Sequence, residues 1–363
     1  MERTLRPGTE GCQASLEQPR RGGPPEPSSE GAHPIFYLVV HMHRIPVAPL
    51  ALLLLLVLAG RPAWGQGLPS FAPLNPVASS RSGVYFLPMR DPAPGRWFTS
   101  LSLDYGSVIE YNRLDHSDYV LDSEVMRLGL AVSRDLGRDA FVQLSASLGG
   151  SYSGFLDGFL DWYHGALGIR MSEREKRPQD RFLYNITLPD GQNIRRSQNS
   201  LFLGDLGVAF GLRFGKQLQS VLSLTLPTAT GPAGYGKSVA AFALLNTVRA
   251  PISPRLTYEG SLGVGVTPTS GALSALQHTT FLGLTSGLRQ RVWGAHSVFV
   301  NLFYHSPYYR ETTLPALDRR DLSFDFGWIM ATRGGGDWRM GLTEDLEPGG
   351  PGVDLVLRVG RSF

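Results

Sequence analysis

The sequence predicts an all-β protein: a transmembrane antiparallel β-barrel of about twelve strands, with one short helix in its long third loop. Three observations carry that expectation. Apolar and polar residues alternate along segments of roughly 9–14 residues. The connections between segments are short and long by turns. Aromatic residues gather where segments end. Alternation matters because successive side chains of a strand point to opposite faces. A closed sheet can then turn one face to lipid and the other to water.

The first segment, near 96–112, sets Trp97, Thr99, Leu101, Leu103, Tyr105, Ile109 and Tyr111 against Ser100, Ser102, Asp104, Gly106, Glu110 and Asn112. The second, near 118–134, sets Met126, Leu128, Leu130 and Val132 against Arg127, Gly129, Ala131 and Ser133. Further strands are expected near 139–153, 203–214, 217–227, 238–249, 255–267, 278–291, 296–305, 320–332, 336–345 and 353–363. Two of them read ambiguously. In 296–305, Phe299 and Phe303 compete in phase with Val298, Val300 and Leu302. The stretch 238–249 is nearly apolar on both faces and also suits a helix. The last strand fixes which face meets lipid. Val353, Leu355, Leu357 and Val359 oppose Asp354, Val356, Arg358 and Gly360. Placing Arg358 at a bilayer midplane would cost about 2–4 kcal/mol, so the aliphatic set faces lipid.

Connections such as "DLGR", "GKQ" and "VWGA" are short, and those at the opposite ends are mostly long. Outer-membrane barrels sort their loops this way, with the short turns in the periplasm. Trp97, Tyr258, Trp293, Trp338 and Phe363 fall at the short-turn ends. Tyr111, Tyr119, Tyr152, Tyr304, Tyr308 and Tyr309 fall at the long-loop ends. Two girdles of rings at the two membrane–water interfaces are the reading.

Composition agrees with export. Only 18% of residues are charged and the net charge is +3, too little to imply a nucleic-acid partner. The single cysteine, Cys12, excludes a disulfide within the chain. Residues 42–65 read as a secretory signal peptide. Met42-His43-Arg44 opens it, Val47–Ala59 is its apolar run, and Ala63-Trp64-Gly65 is its cleavage site. Residues 1–41 read as an extension upstream of a start at Met42, with a disordered arm as the alternative. Residues 66–95 are expected as a periplasmic lead, and 96–363 as an outer-membrane barrel carrying the insertion 154–202.

The stretches "SYSGFLDGFLDWYHGALGI", "REKRPQDRFLYNI" and "LFLGDLGVAFGLRF" resemble a bacterial family known only as a domain of unknown function, the 3187 group. The resemblance rests on Gly154–Asp157 with His164, on Arg181–Tyr184, and on Gly204–Leu206. It is clearest over about 118–230. It implies an outer-membrane barrel and brings no activity with it. The chain ends in Phe363, in phase with Leu355, Leu357 and Val359. That ending is similar to the assembly signal of bacterial outer-membrane proteins, which implies the barrel assembly machinery as a partner.

Few residues carry chemistry. Asp157, Asp161 and His164 stand at i, i+4 and i+7 of the helix expected in 154–202, so they share one flank. Such a trio suits a divalent cation, a general base or a gate. The plainer reading is a loop helix at the barrel mouth or folded into the lumen, with its acids on lumen arginines. Gly231–Ser238 has the P-loop spacing, yet it lies in a loop between barrel strands, and no nucleotide is expected. His305 and Ser306 are adjacent on a strand and point apart, so they do not make a nucleophile–base pair. Asp104, Arg127, Arg213, Asp325, Arg339 and Arg358 are the expected polar lumen. The functional expectation is a narrow solute channel or structural barrel gated by the 154–202 loop. It is not an enzyme, needs no cofactor, and sits in the outer membrane against lipids and lipopolysaccharide. The alternative is a lipid-modifying hydrolase built on Asp157, Asp161 and His164.

Overall fold

The computed structural model describes residues 67–114, 117–168, 178–232, 234–332, 336–347 and 350–363. The expected signal peptide and the extension before it lie outside the described residues. A short helix α1 (Pro76–Arg81) precedes the long strands β1 (Trp97–Leu114), β2 (Ser117–Asp135) and β3 (Ala140–Tyr152). Helix α2 (Asp157–Leu167) and the small strands β4 (Leu183–Thr187) and β5 (Asn193–Arg196) fill the first long insertion. Then come β6 (Asn199–Leu203), β7 (Leu206–Phe214), β8 (Leu218–Leu226), β9 (Ala241–Pro251), β10 (Leu256–Val266), β11 (Thr280–Trp293) and β12 (His296–His305). Helix α3 (Pro315–Asp318), β13 (Asp321–Ala331), β14 (Asp337–Asp345) and β15 (Leu355–Ser362) complete the chain.

All fifteen strands belong to one sheet. Both β6 and β7 pair with β3, so they form a single wall strand broken at Gly204-Asp205. With β4 and β5 set aside as a hairpin on the edge of β2, twelve strands remain. Strand β15 pairs with β14 on one side and with β1 on the other, which closes the barrel. Closure pairs the twelve wall strands all round, as a backbone in hydrocarbon requires, and leaves edges only at the long-loop end, where β5 pairs with β4 alone.

The outer wall is apolar. Leu101, Leu103, Leu128, Leu130, Phe210, Phe242, Leu244 and Leu302 are all exposed, and Asp104, Glu259, Asn301 and Asp325 on the opposite phase are buried. The two ambiguous segments resolve by the same rule. Phe299, Asn301, Phe303 and His305 turn inward, and β9 is a strand with Ala243, Leu245 and Thr247 inward. Among the described residues no helix is long and apolar enough to cross a membrane. The protein crosses with its strands and resides in the outer membrane.

Two expectations need correction. The first concerns residues 66–95. Instead of lying beneath the barrel, residues 67–90 run into the lumen and back out of it. Leu68, Phe71, Leu74, Val77, Val84, Phe86 and Met89 are all buried there, and Phe71 and Phe86 pair as an antiparallel bridge. The second concerns the upper aromatic girdle. Tyr119, Tyr308 and Tyr309 are buried under a dome at the long-loop end. The cause is the height of β1 and β2. They pair from Trp97↔Arg134 up to Leu114↔Ser117, whereas β15 meets β1 only over Ser100–Ser107. The excess length rises past β15 and joins Ile186, Ile194, Leu314 and Leu317 in one apolar cluster over α1. At the short-turn end Trp97, Trp293 and Phe363 are more than half exposed, and Tyr258 and Trp338 are half-buried.

Candidate functional site: a plugged lumen

The lumen segment is shaped by its own sequence. Asn75 caps α1 by accepting from Val77 N at 2.9 Å, and Pro76 starts the helix where no N–H is needed. The Asn75 amide also donates to Gly352 O at 2.8 Å and to the Glu110 carboxylate of β1. At the other end of α1, Arg81 donates to the carbonyls of Thr267, Pro268 and His278 at 2.7–3.0 Å. Both ends of a six-residue helix are thus tied to the dome.

Lower in the barrel, Phe71 lies 4.3 Å from Phe303, centroid to centroid, and Phe86 meets the same ring edge-on at 5.4 Å. Glycines on the inner face of β10 and β11 make room for this. A Cβ built on Gly283 would fall 3.1 Å from Val84 Cγ2, and one on Gly263 would fall 3.2 Å from Val84 Cγ1. The plug therefore rests against the β10–β12 side.

The expected lumen residues hold it there. Arg127 grips Asp104 with Nε and Nη2, at 3.1 and 2.7 Å. The same guanidinium donates to Pro73 O at 2.8 Å and Ala72 O at 2.9 Å. Arg358 donates to Asp104 at 3.1 Å, to Asp325 at 3.3 Å and to Ser70 O at 3.0 Å. Arg213 donates to Asp135 at 2.8 Å, and the plug's Arg90 pairs with that same carboxylate. Arg339 binds Asp337 at 3.0 Å. All six sit in the lumen, and two of them carry plug carbonyls.

On the β1–β3 and β7–β8 side several inward residues between the larger ones are small: Ser100, Ser102, Gly129, Ser145, Gly207 and Ser223. They leave a cavity of about 570 Å³ between wall and plug. It extends from Phe98 and Asp91 near the short turns to Tyr235 and Lys237 beneath the dome. Lys237 comes from the loop with P-loop spacing. Its Nζ donates to Ser79 O of α1 at 3.0 Å and its N–H to Asp205 at 2.9 Å. Burial lowers its ammonium to about 8, aided by the Arg127 and Arg81 charges and opposed by Asp205. A P-loop needs a helix after its Ser; here a strand begins at Ala241.

The trio Asp157, Asp161 and His164 does not converge. Asp157 accepts from Asp180 N at 2.7 Å and Asp161 from the Gln179 amide at 2.6 Å. His164 Nε2 instead faces Asp354 at 3.4 Å: just before β15 the expected phase does not hold, and Asp354 meets α2 while Val353 is buried in the dome cluster. Nor does α2 enter the lumen. Leu156 and Leu160 pack on Leu355, beside Tyr105, Leu342 and Leu357, all on the outer phase of β1, β14 and β15. Glu124 of β2 anchors its start by accepting from Phe155 N at 2.7 Å and from Leu156 N. The chain turns into that contact at Gly154, φ +82°, where Glu124 leaves no space for a Cβ. His305 and Ser306 form no catalytic pair: Nδ1 meets the Ser306 carbonyl at 2.6 Å, and the Ser306 hydroxyl accepts from Leu282 N at 3.0 Å.

Sequence reasoning missed the plug residues. The signal was present in "NPVASSR", an Asn cap followed by Pro, in a segment otherwise free of strand alternation.

The model of a family described as a protein of unknown function (DUF3187) matches residues 94–347, so the chain belongs to that family. No curated protein matches the chain in sequence. Similar solved structures include an outer membrane channel from Pseudomonas putida F1, with 14% identity over 75% of this chain and 96% of that one and a TM-score of 0.49. The translocator domain of the autotransporter NalP from Neisseria meningitidis shares 12% identity over 76% and 90%, TM-score 0.40. The Pseudomonas putida toluene transporter TodX shares 9% over 79% and 90%, TM-score 0.37.

Proposed function

We propose that this member of the family is a passive outer-membrane channel kept narrow by its own segment 67–90. Solute passes on the β1–β3 side, and wider opening needs the plug to shift. One observation carries the reading: a cavity of about 570 Å³ runs beside a plug that joins the barrel sheet through no strand of its own and is held across the lumen by side-chain hydrogen bonds and apolar contacts. A barrel serving only as a wall has no use for small residues on one side of its lumen. The insertion 154–202 contributes at the mouth through β4 and β5, whose Tyr184, Ile186 and Ile194 cover α1. Its helix α2 belongs to the outer wall, where the exposed Phe155, Phe159 and Trp162 suit contact with outer-leaflet lipid or lipopolysaccharide.

A reversible lock tests this. The Cβ positions of residues 84 and 283 lie 3.6 Å apart, within the range a disulfide accepts. No cysteine follows Cys12 to interfere. In planar bilayers, oxidised Val84→Cys/Gly283→Cys barrels should lose their large openings and keep a small steady conductance. Reduction should restore the wild-type pattern. Large openings that persist in the locked form would refute a moving plug. No conductance in wild type or in a 67–90 deletion would refute the channel.

A further inference from the structure

We infer that His164, Glu344 and Asp354 form a divalent-cation site of zinc type that clamps helix α2 to the outer wall of the barrel. The three residues come from α2, from the top of β14 and from the residue before β15. Their ligand atoms all lie within 4.8 Å of one another. Among the described residues this is the one set of His, Cys, Asp and Glu that converges so. His164 and Asp354 are buried, and Glu344 is partly so.

A second observation points to a missing partner. His164 Nδ1 and Glu344 Oε1 are both buried with no hydrogen bond among the described residues. A buried donor or acceptor left unmade is costly, about 1–3 kcal/mol, so native structures rarely keep two side by side. Two carboxylates beside one imidazole also repel each other away from water. A cation among the three ligand atoms would take up the unpartnered Glu344 oxygen and offset the repulsion between the two carboxylates. One imidazole nitrogen with two carboxylate oxygens suits Zn2+, and three protein ligands leave a fourth position for water. The Tyr163 hydroxyl already bonds the Glu344 carboxylate and would orient it as a supporting contact.

The location gives the site a purpose. Leu156, which caps α2, and Leu160 within it cover Leu355 and Leu357 of β15 and Tyr105 of β1. That is the seam where the first and last strands meet, and β15 reaches only Ser100–Ser107 of β1. A cation between α2 and the β14–β15 end would close this short seam from outside. The site stands apart from the lumen, so its test does not depend on channel activity.

The experiment uses the full mature barrel in detergent, stripped with a chelator and titrated calorimetrically with Zn2+. Wild type should bind one Zn2+ per chain. His164→Gln and Glu344→Gln, each folded by heat-modifiable gel mobility, should bind about 100-fold more weakly or worse. Mg2+ in excess should not displace the Zn2+. Should either variant fail to fold, the visible spectrum of Co2+ on wild type decides. Four-coordinate bands support the site, and aquo-like octahedral bands overturn it. Absence of Zn2+ binding to wild type, or equal binding by the folded variants, also overturns it and leaves a proton-sharing trio.

Discussion

Replacing Arg127 by Met should loosen the plug by an amount the structure lets one work out. The side chain stays similar in length and apolar volume. What goes is the charge and four hydrogen bonds: two to Asp104 and two to the carbonyls of Pro73 and Ala72. Only the last two cross from wall to plug. Hydrogen bonds to a charged group contribute about 1.5–3 kcal/mol each. The side chain is about one-fifth exposed, so water replaces part of that loss. About 2–3 kcal/mol of docking free energy should disappear. At 1.4 kcal/mol per factor of ten, the open-to-closed ratio should rise about 30- to 150-fold. Asp104 keeps Arg358, so no carboxylate is stranded in the lumen. Single-channel recording in planar bilayers reads the ratio directly. Arg339→Met is the matched control. It removes a lumen arginine bound to Asp337 rather than to the plug, and it should leave the ratio unchanged. If both variants open alike, or neither differs from wild type, the plug is not held by Arg127 and the reasoning fails.

Other consequences are simpler to state. Lys237 is charged below about pH 8 and neutral above it, so the anion preference of the current should fall between about pH 7 and 9. Reversal potentials in a salt gradient measure this, and Lys237→Met should show the low preference throughout, with no step. Ser145→Phe fills the cavity from the β3 side and should cut the steady conductance without changing the yield of folded barrel. The backbone N–H of Phe363 makes one hydrogen bond, to Thr99 O at 2.9 Å, worth about 1 kcal/mol. Phe363→Ser keeps that bond. The exposed ring also loses its contact with the Arg361 guanidinium, about 0.5–1 kcal/mol, too little to empty the membrane of barrel, so a fall of tenfold or more in heat-modifiable barrel would mark recognition of the ring during assembly, and an unchanged yield would refute it.

The wall was legible in the sequence because it obeys a local rule. Period-two alternation gives every residue a face, and Arg358 alone decides which face is wet. The strand ends followed within a few residues, even for β9, whose apolar run also suited a helix. Residues Asp104, Arg127, Arg213, Asp325, Arg339 and Arg358 all lie in the lumen, as the alternation requires. Their partners were not legible. A face says nothing about distance, and Arg127 meets Pro73 and Ala72 across 54 and 55 residues. The helix trio shows the opposite error. Spacing at i, i+4 and i+7 places Asp157, Asp161 and His164 on one flank, but a flank is wide. His164 turned to Asp354, 190 residues away, because Leu156 and Leu160 docked on the barrel and carried it there.

The places that segments 67–90 and 154–202 take have one physical origin. A twelve-stranded barrel has more interior than the side chains of its own wall can fill, and strands β1–β3 and β7–β8 offer Ser and Gly to that interior. Something else must occupy the remainder, and two segments were available: 67–90 and 154–202. Segment 67–90 carries Phe71, Val84, Phe86 and Met89 with three carbonyls for the lumen arginines, so it suits a mixed interior. Helix α2 and the turn before it carry the exposed Phe155, Phe159 and Trp162, which a wet lumen would not accommodate but a membrane interface does. Reading the polarity of both segments against the polarity of the two faces would have assigned plug and strap correctly.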